Sequence, residues 1–233
     1  MRMDVGVFVP LGNGNASPEI LRAVGRGAEE RGFESIWVPE HVVLFEEYES
    51  SYPYSPDGKF PGGADSGMLE PLTALTYLAA VTDRVRLVTA SCLVPQRNPV
   101  YPAKQATDSD SLSGGRVEFG IGVGWLREEF EAVAMPFEKR GQRTDEHLAV
   151  MTSLWTAETS EFHGELYDLP ACSMYPKPVQ TPHPPIHVGG ESDAAMRRVA
   201  RLGQGWFSFN RLPGDLAEPL GRLDGILADH GRS

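Results

Sequence analysis

In the stretch SIWVPEH, Ser35 to His41, an acid and a histidine close a short apolar run. A histidine just past a strand end titrates near neutral pH and serves as acid, base or hydrogen-bond donor. Its alternative is a buried structural histidine. Glu40 points the other way if the strand persists, and lines the same mouth if the chain there is loop. The second stretch is GGRVEFGIGVGWLREEF, Gly114 to Phe130. A dinucleotide fingerprint needs G-x-G-x-x-G directly after a first strand. Here Gly120, Gly122 and Gly124 are spaced by two, Trp125 stands third after Gly122, and the strand is the fourth. It is no Rossmann loop. Alternate glycines bare one face of a strand, either for a flat group to approach or to fit the taper of a barrel interior.

HVGGESDAAMRR, from His187, is the better anion candidate. A strand ends at Val188, Gly189 and Gly190 turn, and a helix starts near Ser192, so free N–H groups and the positive helix end face one point. Glu191 and Asp193 oppose an anion unless they point outward, and a simple capped turn is the alternative. His183 and His187 are four apart, but the prolines between them forbid the helix that would align two metal ligands, and no metal site is expected. Neither Cys92 nor Cys172 has a sequence-near histidine, and there is no G-x-S-x-G elbow, so a nucleophilic mechanism has no support.

These residues need a scaffold, and the chain alternates to supply one. Strands are expected at Asp4–Pro10, Ser35–His41, Val85–Pro95, Val117–Gly124, Pro184–Gly190 and Gly205–Asn210. Helices are expected between them, the first with Ser17 as N-cap, Pro18 at its first position and Gly32 at its end. A long helical stretch over Leu126–Thr156 breaks near Pro136, and Glu161–Leu169 reads as a hairpin within an insertion at 160–180. Strand–helix alternation with continuously apolar strands means a parallel sheet covered by helices. Candidate residues lie after strands two to five, which favours a barrel with its chemistry at the C-terminal strand ends over an open doubly wound sheet. The loop at 44–70 carries Phe45, Tyr48, Tyr52, Tyr54 and Phe60, and reads as a lid or substrate wall rather than a linker, with surface disorder as its alternative.

Length and charge set bounds. The 233 residues suit one α/β domain over 1–233. A net charge of −11 disfavours nucleic acid. No basic-then-apolar leader opens the chain and no apolar run reaches the roughly 18 residues of a membrane span. With two cysteines and no disulfide framework, a soluble cytoplasmic protein is expected.

Five ordered blocks carry a more specific signal: ERGFESIWVPEHVV, LVPQRNPVYPAKQ, LSGGRVEFGIGVGWLREEFEA, PFEKRGQRTDEHL and YPKPVQTPHPPIHVGGESDAAMRRVARLGQGW. Together they resemble the bacterial luciferase-like family, on the branch of coenzyme F420-dependent oxidoreductases, over nearly the whole chain. The resemblance implies a (β/α)8 TIM-type barrel, and the six legible strands leave the chain short of the last two units, with open edges. It implies a deazaflavin, coenzyme F420, or alternatively FMN, in the barrel mouth. A hydride would pass to a small organic substrate; the alternatives are an FMN-dependent monooxygenase or a cofactor-binding remnant without turnover. His41 is then the catalytic proton source, with Glu40 beside the ring. A non-proline cis peptide falls on Ser91 and Cys92. Gly122, Gly124, Trp125 and Glu128 border the ring and its side chain, and Gly189, Gly190 and Ser192 meet the phosphate end. Trp125 stands where a sugar-phosphate dehydrogenase of the family carries a glutamate, which argues against a sugar-phosphate substrate. A homodimer through the first helices is the implied assembly.

Overall fold

The structure, a computed structural model, describes residues 4–232. The chain opens with strand β1 (Gly6–Phe8), helix α1 (Pro18–Glu30) and strand β2 (Ser35–Val38). A long loop leads to α2 (Pro71–Ala79), followed by β3 (Arg86–Thr89), the two-residue β4 (Cys92–Leu93) and α3 (Val100–Ser113). Next come β5 (Val117–Gly122), α4 (Arg127–Ala132), α5 (Arg140–Thr156) and a hairpin of β6 (Ser160–His163) and β7 (Asp168–Cys172). The last elements are β8 (Ile186–Gly189), α6 (Asp193–Leu202), β9 (Gly205–Phe207) and α7 (Ala217–Asp229).

Local chemistry explains the boundaries. The Ser17 hydroxyl accepts the Ile20 N–H at 3.3 Å with Pro18 at the first helical position, as the sequence predicts. The first helix ends at Glu30 with Arg31 as its cap, and the expected Gly32 follows at φ +75° to turn the chain. Near Pro136 the expected long helix divides into α4 and α5, because proline bars helical continuation through it. The third strand does not run unbroken to Pro95. It stops at Thr89, passes a cis peptide between Ala90 and Ser91, and resumes as β4 before a 3-10 turn at Val94–Gln96. The cis bond thus lies one bond before the Ser91–Cys92 position that the resemblance implied.

All pairings in the main sheet are parallel, in the order β1-β2-β3-β5-β8-β9, with β4 alongside β5. That order follows the chain without reversal, so the sheet winds one way, as in a barrel, and not outward from a central switch point as in a doubly wound sheet. It also curls. Phe8 on the first strand meets Phe209, just past the last, with ring centroids 5.8 Å apart, and Trp37 reaches Phe207 at 5.6 Å across the interior. The result is a half-barrel of TIM type with six of its strands in chain order. Period-two alternation sorts each strand: Ile36, Leu87, Phe119, Ile121 and Val188 are fully buried toward the helices. Each such side chain contributes on the order of 2 kcal/mol relative to exposure. Their opposite neighbours, Trp37, Glu118, Gly120, His187 and Phe207, face the barrel interior.

The alternate glycines are explained by that interior. A Cβ on Gly120 would collide with the Thr89 carbonyl oxygen and approach Phe207 at 3.4 Å; on Gly189 it would meet Phe207 at 2.7 Å. A Cβ on Gly122 would run into the Ser91 hydroxyl and meet Leu93 at 3.4 Å. The space that Gly120, Gly122 and Gly189 leave is taken by the chain's own atoms, as the barrel-taper alternative expects, while Gly124 borders a cavity.

Candidate active site

Two carboxylates fix the mouth of the half-barrel. Strand β2 ends at Val38 and the chain turns at Pro39, which places Glu40 and His41 at the C-terminal strand edge, both buried. The Glu40 carboxylate accepts the Leu93 N–H at 2.7 Å and pairs with Arg97, which also meets Glu70 at 3.0 Å. Burial lowers Arg97 to about 10, against the opposing charge of Glu129, so the guanidinium stays cationic at neutral pH and neutralises Glu40 from behind.

His41 is held by Glu129, the third residue of α4 and completely buried. The Glu129 carboxylate accepts the Val42 N–H at 2.7 Å and the Gln96 side-chain N–H at 3.0 Å, and lies 3.2 Å from His41 Nδ1. A carboxylate already accepting two donors presents an acceptor to the ring, which fixes the Nδ1–H form. Nε2 has no partner among the described residues and His41 lines a cavity of about 630 Å³, so this nitrogen is left to the cavity.

The walls of that cavity are mostly aromatic. Phe8, Trp37 and Phe207 rise from the inner sheet face, and Tyr52, Phe60 and Trp125 close it from the loop side. His41 stands edge-on to Phe60 and Trp125, at centroid distances of 5.1 and 5.8 Å, and the two rings lie nearly parallel, 21° apart. Burial pushes the phenol of Tyr52 up, with Tyr54 adding to it, and burial and then Glu191 do the same to Tyr54, so both remain phenols.

The loop between β2 and α2 is tied down by α4. Glu128 accepts the Glu49 N–H at 2.7 Å, the Ser50 N–H at 3.2 Å and the Ser50 hydroxyl at 2.7 Å, while Ser50 Oγ accepts the Arg127 N–H at 2.9 Å. Within the loop the Tyr48 hydroxyl accepts the Phe60 N–H at 2.8 Å. A second, more polar cavity of about 790 Å³ lies beyond Tyr54, Trp125 and Phe209, which border both spaces. Arg140, Arg211 and Ser192 line it. Arg140 donates to the Gly124 carbonyl at 3.0 Å, and Arg211 is paired with Glu191, whose carboxyl these hydrogen bonds hold below the usual range despite burial.

The sequence candidates therefore fall into three groups. Glu40, His41, Ser91 and Trp125 come together around the first cavity, and Gly124, Trp125 and Ser192 around the second. Ser192 caps α6 by accepting the Ala195 N–H at 3.2 Å, and Gly190 turns at φ +108° with its carbonyl accepting from Trp206 at 2.8 Å. The third group sits elsewhere. Cys92 is buried in the helix-side core, where burial pushes its thiol up; Gly122 and Gly189 back onto Ser91 and Phe207; and Glu128 spends its hydrogen bonds on the loop. Sequence reasoning missed Glu129, Gln96 and Arg97. Glu129 stands one residue from a named candidate, but nothing local distinguishes the buried acid from the half-buried one in an EE pair at a helix start.

A chain-ordered parallel half-barrel with an acid–histidine site at its C-terminal strand ends defines a barrel enzyme class. The sequence profile of the luciferase-like monooxygenases matches residues 3–233, and the chain belongs to that family of oxidoreductases and monooxygenases. An uncharacterized protein of Mycobacterium tuberculosis is 36% identical over 210 residues, covering 90% of this chain and 72% of that protein. The FMNH2-dependent dimethylsulfone monooxygenase of Pseudomonas putida is 32% identical over 149 residues, 63% of this chain and 40% of that enzyme. The coenzyme F420-dependent tetrahydromethanopterin reductase of Methanopyrus kandleri shares the fold, with a TM-score of 0.78 at 17% identity over the whole of this chain and 63% of its own. The chain thus spans under two thirds of the length of these last two proteins. No helix among the described residues is long and apolar enough to cross a membrane.

Proposed function

We propose that this protein is a two-electron oxidoreductase that binds a flavin-type coenzyme, coenzyme F420, and passes a hydride to a small organic acceptor, with His41 as the proton-handling residue. The observation that carries the reading is His41 itself: Nδ1 on a buried carboxylate, Nε2 toward an apolar cavity at the C-terminal strand ends. The two cavities fit such a coenzyme. Aromatic walls suit a planar ring, and Arg140, Arg211 and Ser192 supply cations and a hydroxyl for an anionic tail. When bound, the coenzyme supplies the hydride. The chain's own residues do the rest. The lid loop and its rings exclude water, Glu40 is fixed and neutralised by Arg97, and Glu129 orients His41. With Nδ1 committed to Glu129, Nε2 takes a proton when the ring is neutral and gives one when it is imidazolium.

An FMN-dependent monooxygenase is the second reading, favoured by the Pseudomonas relative named for FMNH2. Titration of the protein with oxidised coenzyme F420 and, in parallel, FMN, followed by fluorescence of its four tryptophans, separates the two. Saturation by the deazaflavin alone supports the first reading, saturation by FMN alone the second, and binding of neither removes both.

A further inference from the structure

The two cavities sort charge. Both arginines that face ligand space, Arg140 and Arg211, line the polar cavity. Among the described residues lining the aromatic one, the acidic and basic side chains are Glu40 and His41. The cation nearest to them, Arg97, is turned away from that space and already committed to Glu40 and Glu70. An anion entering the aromatic cavity therefore meets apolar rings and, among the described residues, no lysine or arginine to replace the hydration it loses. A neutral molecule gains from the same rings in proportion to the apolar area covered.

The rings also set an orientation. Phe60 and Trp125 lie 21° apart with centroids 6.4 Å from each other, and His41 is edge-on to both, at 70° and 81°. A flat molecule lying parallel to these two faces stands roughly perpendicular to the plane of the His41 imidazole. Among the described residues His41 Nε2 and the hydroxyls of Ser91, Tyr52 and Tyr54 face this cavity without hydrogen-bond partners, so a ligand oxygen that accepts hydrogen bonds has donors to meet there.

Resting on the oxidoreductase reading above, we infer that the acceptor substrate is an uncharged, flat, conjugated carbonyl compound whose oxygen meets His41 Nε2, and that acids of the same shape are rejected. The probes are 2-acetylnaphthalene and 2-naphthoate, which share ring and carbonyl and differ by a methyl group against a charged oxygen. Binding of each to the full chain at neutral pH is read by calorimetry, with no turnover required. The ketone should bind at least tenfold more tightly than the carboxylate. His41→Ala should weaken the ketone alone, and Phe60→Lys, a change at a half-buried loop position, should narrow or reverse the preference. Equal or tighter binding of naphthoate, or binding of neither probe, overturns the inference. The coenzyme titration is independent of this result: coenzyme binding with naphthoate preferred sinks only the substrate class, whereas ketone binding by a protein that takes up no coenzyme sinks the oxidoreductase reading, and the ketone's standing as an acceptor with it.

Discussion

The half-barrel holds two histidine–glutamate pairs on its inner side, one at each end of the strands. At the C-terminal end His41 Nδ1 lies 3.2 Å from Glu129; at the N-terminal end His187 Nε2 lies 2.6 Å from Glu118. The chemistry of the pairs is the same and their settings are opposite. Glu118 is pushed up by burial, but the hydrogen bond from His187 and the charge of Arg86 more than offset this and hold it below the usual carboxylate range. His187 leans on Trp37 at 5.8 Å and on the backbone of Gly205, where an added Cβ would collide with its ring. That pair lines neither cavity. The upper pair leaves one ring nitrogen facing a cavity. On the proposed reading, a histidine beside a carboxylate becomes a reactive site through the cavity that it faces, not through the pairing.

The largest expected effect breaks or keeps this contrast directly. His41→Ala should lower turnover by about a hundredfold or more, the usual worth of a positioned proton donor, with coenzyme affinity nearly unchanged. His187→Ala should leave turnover per folded molecule intact and lower the melting temperature, because it removes a partner from a half-buried carboxylate. If the two variants exchange these phenotypes, the assignment of the upper pair fails. Next in size is Glu129→Gln, which keeps an acceptor for the Val42 N–H but no longer enforces the Nδ1–H form of His41. A tenfold to hundredfold loss, on the order seen when the orienting partner of a functional histidine is removed, should appear in kcat rather than in substrate affinity. The matching Glu118→Gln should show no such kcat effect.

Little of this contrast is legible in the sequence, which singles out His41 but neither Glu129 nor the His187–Glu118 pair. Strand positions follow from short valine- and isoleucine-rich runs closed by proline or glycine, and His41 drew attention by standing just past one of them. The glycine run was legible as a packing device or a ligand face, and sequence alone does not choose. The choice depends on Phe207, distant in number from Gly120 but adjacent in space, which fills the room above Gly120 and Gly189. Glu129, Gln96 and Arg97 were illegible for the same reason: each acts on a residue more than 50 positions away, or 33 in the case of Gln96 and Glu129. Periodicity reports which face a residue takes, not what it meets there.

A third histidine, this one buried, sharpens the comparison with a smaller effect. His147 on α5 has no carboxylate hydrogen-bonded to it; its Nδ1 lies 3.2 Å from the Val94 carbonyl, in the turn that carries Gln96 toward Glu129. Burial lowers its pKa, with the Val94 hydrogen bond opposing. A histidine with a depressed folded value gives stability that is present above its ordinary value of about 6.5 and is lost as the pH falls through it, because the unfolded chain then binds the proton first. Unfolding free energy measured by denaturant at pH 7.5 and 5.5 should fall between them, with one proton limiting the slope to about 1.4 kcal/mol per pH unit. His147→Phe should remove that share of the decline. An identical pH dependence in the variant would show that His147 does not report on this turn.

The smallest effect concerns the loop over the site, where the resemblance and the structure assign different work to one residue. By resemblance Glu128 borders the coenzyme; in the structure its carboxylate holds Glu49 and Ser50. Burial pushes that carboxyl up, but the Ser50 hydroxyl and the backbone N–H groups more than offset it and leave it below its ordinary value. The latch is therefore present above the usual carboxylate range and weakens as the pH falls through the lowered value. Glu128→Ala should cost about 1 kcal/mol of stability, the net worth of such hydrogen bonds at a half-exposed site. The more telling readout is local: limited proteolysis within residues 44–67 should speed up, and the affinity of a neutral aromatic ligand should fall, because Tyr52 and Phe60 are walls that this latch positions. Coenzyme affinity should hold. If proteolysis is unchanged and coenzyme binding weakens instead, Glu128 touches the coenzyme, and the loop is held by its own Tyr48 and Gly58 contacts.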